Sequence, residues 1–271
     1  MNQLPFQLDT ARGVFRVMVE GDAHAPTLLL SNSLGTTLEM WDPQINALTK
    51  QFRVVRYDTR GHGGSDITPG PYSFEQLGLD ALAVLDALQI EKASFCGVSM
   101  GGHTGLWLGI HAAERFEAIV VSNSAAKIGT EKGWEERAAL LRQGGQQSMQ
   151  ELAQTAPERW FTPQYIQHHA ATVQEAQAQL AQQKAEGYAA CCDALAQSDL
   201  RTDLHRIAIP TLFIAGLFDP VTTVEDAKNM QAAVIGSELV VLDASHLSNI
   251  EVPQAFTDGL VYFLNSVLNL A

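Results

Sequence analysis

A chain of 271 residues, 46% of them hydrophobic, is long enough to bury a substantial core, either as one large domain or as a core with an inserted subdomain. Its formal net charge of −13 argues against nucleic acid and anionic membrane surfaces as partners, because both call for clustered Lys and Arg. An anionic small molecule stays open, since one Arg in a cleft outweighs dispersed surface charge that solvent screens. Cys96, Cys191 and Cys192, the last two adjacent, suit a reducing compartment better than a disulfide framework. Residues 1–10 lack a basic start leading into a long apolar run, and no apolar stretch of membrane-spanning length follows. A cytoplasmic protein without a signal peptide is therefore expected.

In chain order, residues 14–20 alternate apolar and polar side chains and residues 27–30 form an apolar run, predicting two strands separated by a turn at Gly21-Asp22. A helix over 38–50, a strand over 52–57 and a Gly-rich loop at 59–64 come next. Leu77, Ala81, Leu85 and Leu88 then recur at helical spacing, predicting a helix over 74–88 that leads to a strand at 93–96. After a short strand at 118–122 the composition shifts: from about residue 130 to 203 the chain is rich in Gln, Ala and Glu, with helical patterns alone. Within it, the Gln-rich stretch 174–183 reads as a surface helix. Strand 211–215, helix 223–233, strand 238–242 and helix 253–268 complete the chain. The expected architecture is α/β, a mostly parallel central sheet flanked by helices. Its core domain spans 1–126 and 204–271, and 127–203 forms an inserted helical lid.

Gly97-Val98-Ser99-Met100-Gly101 joins the apolar run Ala93-Ser94-Phe95-Cys96 to a helical pattern, which places Ser99 on a sharp strand-to-helix corner, a nucleophile elbow. Small residues two positions either side allow strand and helix to approach closely. Serine is a weak nucleophile at its free pKa, so it needs a base within hydrogen-bond reach and a carboxylate to orient that base. In a parallel sheet these partners belong just beyond the carboxyl ends of later strands. Asp219 follows strand 211–215 and His246 follows strand 238–242, giving the order Ser, Asp, His. Asp243, three residues before His246, is poorly placed for the far side of the ring, and Asn123-Ser124-Ala125 offers no carboxylate. His103, in the first turn after Ser99, is the rival base, but its side chain would point along the helix.

Two N–H groups should receive the oxyanion: Met100, after the nucleophile, and Leu34, in the loop Ser31-Asn32-Ser33-Leu34-Gly35-Thr36. Gly35-Thr36-Thr37 also suits a turn that caps the next helix. The Gly-rich loop 58–65 lacks the Lys-Ser/Thr ending of a phosphate loop and reads as support for the oxyanion segment. Neither metal-ligand spacing nor a dinucleotide fingerprint occurs, so no metal and no cofactor is expected.

Together, loop 58–65, the elbow, Gly216 to Asp219 and His246 to Pro253 resemble the α/β-hydrolase superfamily over nearly the whole chain. Many members carry His-Gly before the oxyanion residue; here Asn32-Ser33 stands there. With Gly97-Val98-Ser99-Met100-Gly101-Gly102 and His246-Leu247-Ser248-Asn249-Ile250-Glu251, this segment is similar to the 3-oxoadipate enol-lactonases of aromatic catabolism, the β-ketoadipate pathway. The resemblance implies a Ser-His-Asp hydrolase acting on a small-molecule lactone or ester through an acyl-enzyme. It also implies a substrate carboxylate, for which Arg60, Arg137 and Arg142 are candidates, with Trp134 the expected substrate contact and Trp160 a second aromatic near the lid. Carboxylesterases, carbon–carbon bond hydrolases and perhydrolases share the same catalytic residues and stand as alternatives. A non-catalytic ligand-binding member is a further one. A haloalkane dehalogenase would carry Asp in place of Ser99. A homo-oligomer is left open.

Overall fold

Residues 4–270 are described in the computed structural model. Eight strands, β1 (Phe6–Thr10), β2 (Gly13–Glu20), β3 (Thr27–Ser31), β4 (Arg53–Tyr57), β5 (Ala93–Val98), β6 (Phe116–Ser122), β7 (Thr211–Gly216) and β8 (Glu238–Leu242), form one sheet. Their order is β1-β2-β4-β3-β5-β6-β7-β8. β2 pairs antiparallel with β1 and β4, and every other neighbour is parallel. β5 and β7 are buried along their whole length, as central parallel strands covered on both faces must be.

The two-residue period of a strand separates two cores. Leu28, Leu30, Cys96, Val98 and Ile214 lie in one; Leu29, Phe95, Val121 and Phe213 lie in the other. The first is closed by α1 (Asp42–Leu48) and α11 (Pro253–Leu268), through Leu48, Phe256, Leu260 and Phe263. The second is closed by α2 (Phe74–Ala87), α3 (Met100–His111) and α9 (Val224–Ala233), through Val84, Leu85, Leu106 and Met230.

Two local readings change. The helix expected over 38–50 is a 3-10 turn, Leu38–Trp41, followed by α1, because Pro43 lacks the N–H that would continue the preceding turn and instead starts a new helix. β1 is an additional strand that the apolar pattern of the sequence does not mark. Its residues are largely exposed at the sheet edge, and its register with β2, Phe6 opposite Val17 and Thr10 opposite Gly13, holds it extended.

Between β6 and β7 the chain forms α4 (Glu131–Thr155), α5 (Pro157–Trp160), α6 (Pro163–His168), α7 (Ala170–Gln182) and α8 (Ala185–Gln197). α4 packs along both α7 and α8, and it bends at Gly145, whose φ of 57° and ψ of −133° interrupt the helix. A short α10 (Ser248–Glu251) precedes α11. Among the described residues no helix is long and apolar enough to cross a membrane.

Candidate active site

β5 hands the chain to α3 through a single residue. Ser99 has φ 56° and ψ −114°, a conformation that L residues rarely adopt, and its N–H donates to Ser122 O on the adjacent strand at 2.9 Å. A Cβ on Gly97 would lie 2.2 Å from Gly101 O, and one on Gly101 would lie 2.3 Å from Ser31 O. The corner therefore closes only with glycine at both positions. Ser124 Oγ donates to Ser99 O at 2.8 Å, which braces the corner from the end of β6.

The loops after β7 and β8 bring two side chains to the serine. His246 Nε2 is 2.9 Å from Ser99 Oγ, and Nδ1 is 2.8 Å from Asp219 Oδ2. Asp219 Oδ1 accepts the N–H groups of Val221 and Thr222 at 2.8 and 3.0 Å, while Oδ2 also accepts Thr222 Oγ1 and Asn123 Nδ2 at 2.8 and 3.1 Å. Burial pushes this carboxyl up, but the His246 ring and the donated N–H groups outweigh burial and hold it below its ordinary value. Asp219 is thus a fixed acceptor that directs the ring toward Ser99. Asp243, the rival acid, is exposed. His103 is turned away, with Nδ1 2.8 Å from Ala125 O and Nε2 2.7 Å from Ser198 Oγ.

On the other side of Ser99 stands the loop after β3. Leu34 N–H meets no acceptor among the described residues, and Met100 N–H is one of the orphan amides of the first turn of α3. The loop's shape is set from outside. Asn32 donates from Nδ2 to Tyr57 O at 2.8 Å and accepts Trp41 Nε1 at 2.9 Å. Gly35, at φ 83°, donates to His62 Nε2 at 2.9 Å. Burial lowers His62 to about 4, so the ring is neutral and its Nε2 is free to accept. Ser99, His246, Ser33 and Leu34 open into a cavity of about 320 Å³ whose opposite wall comes from Ile128, Trp134, Arg137, Arg159, Trp160 and Tyr188.

The α/β-hydrolase fold family matches residues 26–253. The chain is an α/β-hydrolase. It is 52% identical to 3-oxoadipate enol-lactonase 2 of Acinetobacter baylyi over 240 residues, which cover 89% of each chain. With 3-oxoadipate enol-lactonase 1 of the same organism it shares 48% identity over 251 residues, 93% of each. The crystal structure of the enol-lactonase from Burkholderia xenovorans LB400 superposes with a TM-score of 0.93 at 41% identity, covering 96% of this chain and 100% of that one.

Sequence reasoning passed over several residues that this α/β-hydrolase uses around Ser99. Asn123, set aside for having no carboxylate, is buried at the end of β6 with φ 44°. It donates to both Asp219 and Ser245 O and accepts Ser248 Oγ at 2.5 Å, tying the acid loop to the histidine loop. Glu251 links Ser245 N–H, at 2.8 Å, to Thr162 in the helical segment. Of the three arginines considered for a carboxylate, Arg60 is held by Asp80 and Arg142 by Glu186 and Asp193, outside the pocket; only Arg137 lines it. Arg159, on a helix of four residues, lines it too. Trp134 stands in the wall with its Nε1 donating to Ile128 O at 2.6 Å.

Proposed function

We propose that this α/β-hydrolase opens the ring of 3-oxoadipate enol-lactone through an acyl-enzyme on Ser99. The observation that carries the reading is the hydrogen-bonded line Ser99–His246–Asp219 ending at a cavity, in a chain about half identical to two 3-oxoadipate enol-lactonases. As Ser99 Oγ attacks the lactone carbonyl, His246 Nε2 takes its proton and Asp219 stabilises the charged ring. The carbonyl oxygen, now negative, receives the N–H groups of Leu34 and Met100. Collapse of the tetrahedral intermediate breaks the ring C–O bond, and His246 returns the proton to the departing enol oxygen. That enol stays tethered to the acyl group, and its conversion to the ketone removes the nucleophile that would reclose the ring. His246 then deprotonates a water that attacks the acyl carbonyl, and Ser99 leaves with a proton from His246. Each proton moved in the acylation and deacylation steps is carried by His246.

In the same reading, residues 127–203 act as a cap over the core formed by 1–126 and 204–271, and Trp134 touches the substrate from that side. The three cysteines are unpaired and buried, which fits a cytoplasmic enzyme. The test follows the loss of enol-lactone absorbance beside a panel of simple esters and saturated lactones. The enol-lactone should give the highest kcat/KM. A clear preference for simple esters would overturn the substrate assignment while leaving the acyl-transfer chemistry in place.

A further inference from the structure

A lactone of 3-oxoadipate uses one of that acid's two carboxyl groups to close the ring, so the other carboxylate remains as a charged arm. A chain of net charge −13 has to make a local exception to receive it. Of its eleven arginines, eight contact a carboxylate within 4 Å: Arg12, Arg16, Arg56, Arg60, Arg115, Arg142, Arg201 and Arg206. Among the described residues Arg53, Arg137 and Arg159 have no such partner, and two of these three line the cavity that contains Ser99. Among the described residues that line this cavity there is no Asp or Glu. On the side of the catalytic cavity this cationic wall meets no carboxylate; Glu136 and Glu151 line an adjoining cavity that shares both arginines, and Glu158 neighbours Arg159, but none of the three comes within 4 Å of either guanidinium.

Both guanidiniums are held in place. Arg137 lies over the face of Trp134, 4.9 Å from the ring centroid, and Trp134 is itself fixed by its hydrogen bond to Ile128 O. Arg159 donates to Thr155 O and Oγ1 at 3.3 and 3.2 Å, neutral acceptors that leave it without an ion-pair partner among the described residues. Burial and the charge of Arg137 lower the affinity of Arg159 for its proton, as expected for two like charges close together. Two half-buried cations in one wall repel each other until an anion lies between them.

We infer that Arg137 and Arg159 form a carboxylate-binding subsite of the catalytic pocket and give the enzyme its preference for lactones carrying an anionic arm; this rests on the enol-lactonase reading above. The planar guanidinium fork matches a carboxylate in two-point contact, which fixes the ring's orientation as well as its affinity. Placing the arm on this wall leaves the lactone carbonyl for Ser99 and the two oxyanion donors. Trp134 serves the subsite by positioning Arg137. The subsite holds substrate and acyl-enzyme alike, so its loss should appear mainly in KM.

The experiment compares 3-oxoadipate enol-lactone with α-angelica lactone, a neutral enol-lactone that has a methyl group in place of the carboxymethyl arm. Wild type should strongly favour the charged lactone. In Arg137→Met and Arg159→Met the ratio of the two kcat/KM values should fall by about 10- to 100-fold, the size of a lost charge-assisted hydrogen bond. A ratio that stays within about threefold of wild type in both variants would overturn the inference. A second arm uses the wild type: adipate, but not its dimethyl ester, should slow the labelling of Ser99 by a serine-directed phosphonate. Equal protection by the two would also overturn it, and this arm decides the matter if a variant loses its melting transition. Wild type that hydrolyses neither lactone defeats the substrate assignment alone, and adipate protection still decides the subsite.

Discussion

Gly101→Ala probes the corner on which the account depends. A Cβ built on Gly101 falls 2.3 Å from Ser31 O, 2.6 Å from Ser31 C and 2.9 Å from Asn32 O. All three are backbone atoms of the segment that presents Leu34 N–H, so no side chain can swing aside. Relief to an ordinary contact requires the elbow and the oxyanion segment to separate by about 1 Å, and overpacking of this kind costs roughly 1–3 kcal/mol. A misplacement of about 1 Å in a catalytic constellation costs on the order of 100-fold in rate. The variant should therefore melt about 2–12 °C lower, at roughly 2–4 °C per kcal/mol for a chain of this size. Its kcat on the enol-lactone should fall by about 100-fold with KM much less affected, because the oxyanion contacts strengthen in the transition state. Calorimetry and the enol-lactone absorbance assay measure both. A variant that melts with wild type and keeps its kcat would refute the argument that this contact sets the geometry.

Two further outcomes follow from buried charge. Burial lowers His62 and His103 from 6.5 to about 4 in the folded chain, so both stay neutral while the unfolded chain takes up their protons. Stability is then full above pH 6.5 and falls as the pH drops toward 4, each group adding a slope of about 1.4 kcal/mol per pH unit. Urea denaturation across that range should show this slope, reduced by one group's share in His62→Gln and in His103→Gln; an unchanged slope in both variants would contradict it. Asp80 is 1% exposed and accepts Arg60 Nε at 2.6 Å and Arg12 Nε at 2.9 Å. Asp80→Ala removes the carboxylate that pairs with the buried Arg60 guanidinium and should cost about 3–5 kcal/mol of unfolding free energy, read by urea titration.

Much of the fold could be read from the chain because burial on both faces of a parallel sheet imposes continuous apolar runs. Ala93-Ser94-Phe95-Cys96 marks β5 and the run 211–215 marks β7, both buried throughout, while the helical spacing over 253–268 coincides with α11. β1 escaped because it has a single neighbour and few buried side chains, so pairing with β2 holds it extended where its own pattern does not. In the candidate site, Ser99, Asp219 and His246 could be singled out because each directly follows a recognisable strand, and the structure brings all three within hydrogen-bond reach. Asn123 also follows a strand, but an amide carries no charge to mark it as a triad member, and it acts by hydrogen bonding to the carboxylate that is one. Arg137 and Arg142 share α4 and lie five residues apart, which turns them about 140° from each other around the helix axis. One faces the pocket and the other faces Glu186 and Asp193, a difference that charge alone does not reveal. Arg159 sits on too short a helix for any periodicity to show which way it points.

The role of Ser99 is tested most directly by comparing wild type with Ser99→Ala at matched concentration and matched melting temperature, following loss of the enol-lactone absorbance. With the nucleophile gone, His246 has no oxygen to activate, and turnover should fall by roughly 10⁴- to 10⁶-fold, the scale on which serine-hydrolase triads lose activity. A folded Ser99→Ala protein that opens the lactone at the wild-type rate would contradict the acyl-enzyme account.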